Sequence, residues 1–131
     1  MGNRPMNVLN IESTQSTPSV SADWDSGVMR IAGDSFPENS FEFFAEVIDW
    51  IERYLASSAH PLHLDLRLMY MNTSSVKAMM DIFDLLEDAH RDGRAVEVIW
   101  HHDPANERVA DLAEEFREDC TFPFGVEKDG G

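Results

Sequence analysis

The chain has little of three things: cysteine, positive charge and long apolar sequence. Its single cysteine, Cys120, has no second thiol to pair with and no CxxC or Cys/His spacing around it. An internal disulfide framework, a structural zinc site and dithiol redox chemistry are thereby excluded. Lys and Arg number 10 against 25 Asp and Glu, for a formal net charge of −15 and a pI near 4.4. A field of that sign repels phosphate backbones and anionic lipid, which disfavours nucleic acid and membrane surfaces as partners. A protein or a cation fits better. No apolar run approaches the ~18 residues that a membrane span requires, and the polar opening MGNRPMNVLN lacks the apolar core of a signal peptide, so a cytoplasmic protein is expected.

What is present is globular composition. Of 131 residues 43% are apolar and 27% charged, enough for one core, so a single domain over 1–131 is expected, with flexible ends at 1–6 and 127–131. VLNIES, a segment after Thr17-Pro18, and VMRIAG read as strands, the last two joined through the turn Trp24-Asp25-Ser26-Gly27. Asn39 with Glu42 three residues on announces a helix, whose apolar stripe is Phe44, Val47, Ile48, Ile51 and Leu55. Next, Leu62, Leu64, Leu66, Leu68 and Tyr70 alternate with His63, Asp65, Arg67, Met69 and Met71. A strand covered on both faces reads as nearly continuous apolar sequence, so this one has helices on one side only. A second helix carries Val76, Met79, Met80, Phe83 and Leu86 and stops at Gly93, and AVEVIW is a strand. Asp103-Pro104 reads as a cap with proline at the first position of a third helix, striped by Val109, Leu112, Ala113 and Phe116, and TFPFGV adds an edge strand. The expected architecture is α/β: one mixed β-sheet with helices mainly on one face.

A catalytic site is hard to find in this pattern. His101-His102-Asp103 is the best metal or acid/base candidate, but adjacent strand residues face opposite ways and Asp103 is already explained as a cap. The pairs Glu87-Asp88 and Glu114-Glu115 lie on polar helix faces, and neither GxSxG nor GxxxxGK[ST] occurs. No catalytic residue, metal site or cofactor is expected. Met69, Met71, Met79 and Met80 cluster around residues 72–75. Met79 and Met80 are expected in the core, and Met69 and Met71 on the open face, as an adaptable surface for a partner. Between them lies Asn72-Thr73-Ser74-Ser75, a turn that caps the next helix and places a hydroxyl at its N-terminus. A phosphate there adds about −1.5 to −2 charges.

A strand, a hydroxyl-rich turn and a helix in this order resemble the STAS domain of anti-sigma-factor antagonists, in which that hydroxyl is a phosphorylation switch. A narrower resemblance covers about Ile11 to Phe124. Thr14-Gln15-Ser16-Thr17-Pro18, Gly33-Asp34-Ser35-Phe36-Pro37-Glu38-Asn39, VIDWIERYL, Tyr70 to Ala78, NERVADLAEEF and the Trp100 strand are similar to the SiaC family of regulatory phosphoproteins. Phe36 stands where that family has tyrosine, and Met71 where phenylalanine is frequent. The resemblance implies a switch that is not an enzyme. By that resemblance it is expected to be phosphorylated on Thr73 by the kinase SiaB, dephosphorylated by the PP2C-type phosphatase SiaA and, when unphosphorylated, to bind the diguanylate cyclase SiaD. The resemblance further implies that this binding raises cyclic di-GMP and promotes aggregation and biofilm formation. Asn72, Ser74, Ser75 and Lys77 match the block and are candidate partner contacts beside Met69 and Met71. The alternatives are a STAS-type antagonist of an anti-sigma factor and a metal-dependent enzyme built on His101, His102 and Asp103.

Overall fold

Alternating apolar residues make the strands of this protein and three amphipathic stripes make its helices. The computed structural model describes residues 8–129, in the order β1 (Val8–Ile11), β2 (Ser19–Asp23), β3 (Val28–Ser35), α1 (Ser40–Ser57), β4 (Leu62–Met71), α2 (Thr73–Arg91), β5 (Val96–His102), α3 (Glu107–Glu118) and β6 (Phe124–Lys128). The sheet order is β1-β2-β3-β4-β5-β6, antiparallel at its first two pairings and parallel at the rest. Every helix joins neighbouring parallel strands in the same direction across the sheet, and right-handed crossovers then place all three on one face. The mixed sheet expected from the strand pattern is the one observed.

Register explains the core. Val20 pairs with Ile31, Ile31 with Leu66 and Leu66 with Trp100, so one row of buried side chains crosses four strands beneath the helices. A second row joins Ala22, Met29, Leu64 and Val98. From α1 the core receives Phe44, Val47, Trp50, Ile51 and Tyr54, with Trp50 stacked on Tyr54 at 5.2 Å and Trp24 edge-on to both. Ile48 and Leu55 of the expected stripe are only partly buried, because Trp50 and Tyr54 turn the buried face towards the β2–β3 hairpin. On the other side of the sheet His63 bonds Glu97 at 3.0 Å, while Asp65, Arg67 and His101 remain accessible in part.

Asparagine caps each helix: Asn39 accepts from the N–H of Glu42, Asn72 from Ser75 and Asn106 from Val109. For α3 this corrects the expected start at Asp103-Pro104. The Asp103 carboxylate accepts from the N–H of Ala105, which makes a turn that delays the helix until Glu107. The expected flexible end from residue 127 also needs correction, since β6 runs to Lys128 and the N–H of Asp129 donates to the carbonyl of His102. Both carboxylate oxygens of Asp129 lie 2.6 Å from Nη1 of Arg67, and these bonds hold the carboxyl below the usual carboxylate range. Residues 1–6, expected to be flexible, lie outside the described residues, as do Asn7, Gly130 and Gly131. Among the described residues no helix is long and apolar enough to cross a membrane.

Candidate functional site

The parallel pairing of β3 and β4 breaks near its end. Gly33 is opposite Leu68 but Asp34 is opposite Tyr70, which leaves Met69 as the extra residue of a bulge. A bulge inverts the faces of everything beyond it. Tyr70, expected with the leucines, is therefore 48% exposed, and Met71, expected on the open face with Met69, packs against the core instead. Met69 itself is 53% exposed. Its carbonyl accepts from Asn106 Nδ2 at 3.0 Å, so the cap of α3 holds the bulge in place. Phe36, also exposed, meets the Tyr70 ring edge-on at 5.8 Å.

Immediately after β4 comes the hydroxyl-rich turn. Asn72 donates through Nδ2 to the carbonyl of Pro37 while its Oδ1 caps α2, and its N–H reaches the carbonyl of Ser35. Ser75 is fully buried, its Oγ 2.7 Å from Ser35 Oγ and 3.1 Å from Ser40 Oγ, and Ser74 Oγ lies 2.7 Å from Ser40 Oγ. These hydroxyls join the end of β3 to the first turns of α1 and α2. Thr73, the first residue of α2, is left pointing outward: it is exposed, and its side chain makes no hydrogen bond within the described residues. Burial and bonding set the serines to structural work and leave Thr73 accessible.

Thr73 borders a hollow of about 310 Å³ whose floor and sides come from Met69, Tyr70 and Met71 on β4 and from Arg108, Val109 and Leu112 on α3. Lys77 and Met80 follow Thr73 at helical spacings of four and seven, on the same side of α2. Both are exposed. Met80 thus leaves the core expected for it, and Met79 alone of that pair is buried. The sequence pattern also passes over Phe36, Ser35, Ser40 and Arg108, since each joins the site through contacts distant in the chain, and it assigns Tyr70 to the core because the bulge that turns it outward is not visible in β4 alone. A larger cleft of about 850 Å³ adjoins it and shares Met69, with Arg67, His101 and Asp129 among its walls.

The other chemical candidates do not converge. His102 is buried with Nδ1 bonded to the Asp103 carbonyl, whereas His101 lies on the opposite face near Asp65 and Glu127. Among the described residues no three His, Cys, Asp or Glu side chains are grouped to hold a metal. Glu87 accepts from both the hydroxyl and the N–H of Thr121, bonds that hold its carboxyl below the usual range and tie α2 to the segment before β6. Cys120 is partly buried, and burial together with Glu87, Asp119 and Asp84 pushes its thiol from 9.0 up to about 11. Below pH 9 its alkylation by iodoacetamide is therefore expected to be roughly a hundredfold slower than that of the urea-unfolded chain. Equal rates would contradict the burial assigned to this thiol.

A polar-faced sheet and a hollow bordered by an exposed hydroxyl, without a converging catalytic or metal-binding set among the described residues, suit a regulatory domain that works through its surface. The profile of the SiaC family regulatory phosphoproteins matches residues 11–128, and the chain belongs to that family. A curated relative, an uncharacterized protein of Pseudomonas aeruginosa (strain UCBPP-PA14), is 62% identical over 122 residues, which are 93% of this chain and 97% of that protein. The solved structure of SiaC of P. aeruginosa is 60% identical and superposes with a TM-score of 0.88 over 92% of this chain and 98% of that one. A chain in the crystal structure of the diguanylate cyclase SiaD in complex with its activator SiaC, also from P. aeruginosa, is 62% identical. It superposes with a TM-score of 0.89 over 92% of this chain and 98% of its own length.

Proposed function

We propose that this regulatory phosphoprotein works in the cytoplasm, by binding rather than catalysis, as the activator of a SiaD-type diguanylate cyclase, and that Thr73 switches the binding off when phosphorylated. In this reading a SiaB-type kinase moves the γ-phosphoryl group of ATP onto Oγ1 of Thr73, which gives up its proton. A SiaA-type PP2C phosphatase returns the hydroxyl by transferring the phosphoryl group to water. Unphosphorylated protein docks the cyclase, raises cyclic di-GMP and so promotes aggregation and biofilm formation.

The observation that carries this reading is the place of Thr73: a free hydroxyl at the rim of a hollow whose apolar side chains are Met69, Tyr70, Met71, Val109 and Leu112, with Met69 and Tyr70 exposed. A partner seated there by apolar contact excludes water from the rim, and a phosphate dianion on Thr73 would then lose its hydration. The kinship with an activator found in complex with SiaD supports the choice of partner. Candidate contacts are Met69, Asn72, Ser74, Lys77 and, on the margin, Met71. Ser75 contributes through the fold, because its hydroxyl is buried among Ser35 and Ser40.

Incubation with the cognate kinase and ATP, followed by fragment mass spectrometry, is expected to give one phosphate on Thr73 and none on Ser75. The phosphorylated protein is expected to lose the cyclase in a pull-down, and phosphatase treatment to restore it. Phosphate at another residue, or capture of an anti-sigma factor in place of the cyclase, would overturn the reading.

A further inference from the structure

Arg108 occupies the second position of α3, is exposed, and lines the hollow that Thr73 borders. Among the described residues five of the seven arginines are engaged, and Arg30 on β3, away from the hollow, is with Arg108 the exception. Arg53, Arg67, Arg91 and Arg117 each lie against a carboxylate, and Arg94 is held by the carbonyls of Leu55 and His60. Arg108 makes no ion pair or hydrogen bond among the described residues, although the net charge is −15. Asp111 and Glu115 line the adjoining depression with it, yet neither reaches ion-pair distance. Lys77, one turn beyond Thr73 on α2, is likewise unpaired. Being unpaired is not peculiar to these two, since Arg30 and Lys128 also lack a partner among the described residues; what distinguishes Arg108 is that it lines the same hollow as the exposed threonine, where an anion would find its guanidinium unoccupied.

We propose that Arg108 anchors the phosphate of phosphorylated Thr73 from across the hollow, so that the ion pair lies over Met69, Tyr70 and Leu112 and closes the surface a partner needs. The proposal rests on the reading of Thr73 as the phosphoacceptor. A guanidinium offers a planar fork of N–H donors that matches two phosphate oxygens, and a phosphothreonine reaches further than the hydroxyl it replaces. Inhibition then has a structural component besides the added charge: the phosphate is drawn inward and fills the hollow rather than projecting into solvent. Without phosphate, Arg108 has no reason to cross the hollow and the surface stays open.

The test uses the whole chain with phosphothreonine installed at position 73 during synthesis, which removes any dependence on the kinase. Its second ionisation, followed by phosphorus NMR, is expected below the value of about 6 usual for a phosphomonoester. Arg108→Ala is expected to raise it by roughly half a unit or more, and Arg108→Lys by less, because the charge remains while the fork is lost. Lys77 on α2, Asp111 and Glu115 on α3 and Asp34, paired with Tyr70 from β3, are present in all the proteins compared, so the difference reports Arg108. As a second reading, the Met69 methyl signal is expected to be shielded from a dissolved paramagnet by phosphorylation and exposed again in phosphorylated Arg108→Ala. An ionisation that Arg108→Ala leaves unmoved would overturn the proposal. Failure of the kinase to modify Thr73 would instead strike at the switch reading while leaving the Arg108 result standing.

Discussion

Thr73→Asp protein will bind the cyclase at least roughly a hundredfold more weakly than Thr73→Ala protein, which will bind as the native chain does. The estimate follows from the few kcal/mol that an unpaired charge costs when a docked partner takes it out of water. Alanine is harmless because the Thr73 side chain makes no hydrogen bond within the described residues and is exposed. Aspartate is harmless to the fold for another reason: a negative charge in the first turn of a helix is favourable there, and α2 has no acidic residue in its own first turn. Melting temperatures of both variants should match or exceed that of the native protein, so lost binding cannot be ascribed to unfolding. Aspartate carries less charge than a phosphate and has a shorter reach, which makes its effect a lower bound on that of phosphorylation. Calorimetric titration against the cyclase measures both constants, and equal affinity for the two variants would remove Thr73 from the interface. Asp at Ser75 is no substitute test, since it would put a charge among buried hydroxyls and damage the fold itself.

How far the sequence alone leads depends on whether a feature is written in neighbouring residues. The leucine period of β4 is local, and it correctly places Asp65 and Arg67 on the uncovered face. The caps at Asn39 and Asn72 are local too. At α3 the local signal Asp103-Pro104 misleads, because the Asp103 carboxylate closes a turn onto Ala105 and Asn106 caps the helix instead. The inversion at Met69 has no local signal at all: it arises because β3 and β4 slip by one residue after Gly33, and pairing between strands cannot be seen in either one. The same distance in sequence hides the contact of Ser35 and Ser40 with Ser74 and Ser75, and the hollow that Arg108 and Thr73 both line. Thr73 is visible as a candidate through its block of neighbours. Why it alone of the three adjacent hydroxyl residues is fully outward becomes clear only from the packing.

Gly27→Ala will lower stability by about 3 kcal/mol, while Gly93→Ala, also at a positive φ, will cost only about 1 kcal/mol. Both backbones lie in the left-handed region, at φ 71° and 92°, where a Cβ is strained whatever the space around it. Their surroundings differ. A Cβ on Gly93 meets nothing within 4 Å, whereas one on Gly27 falls 2.3 Å from the carbonyl oxygen of Pro61 and 2.5 Å from Oη of Tyr54. Neither neighbour is free to retreat. Tyr54 donates to that same carbonyl at 2.9 Å and is stacked on Trp50, and the backbone of Gly27 is bonded on both sides, to Asp23 and to His63. The clash therefore displaces the start of β4 and the aromatic group on α1 together, a cost typical of overpacking that adds to the backbone strain. For a chain of this size the expected fall in melting temperature is on the order of 10 °C for Gly27→Ala and a few degrees for Gly93→Ala. Equal losses would mean that the close approach at Gly27 contributes nothing. Because Gly27 adjoins the start of β4 and Thr73 follows its end, folded Gly27→Ala protein should bind the cyclase normally well below its melting point, which separates the requirements of the fold from those of the switch.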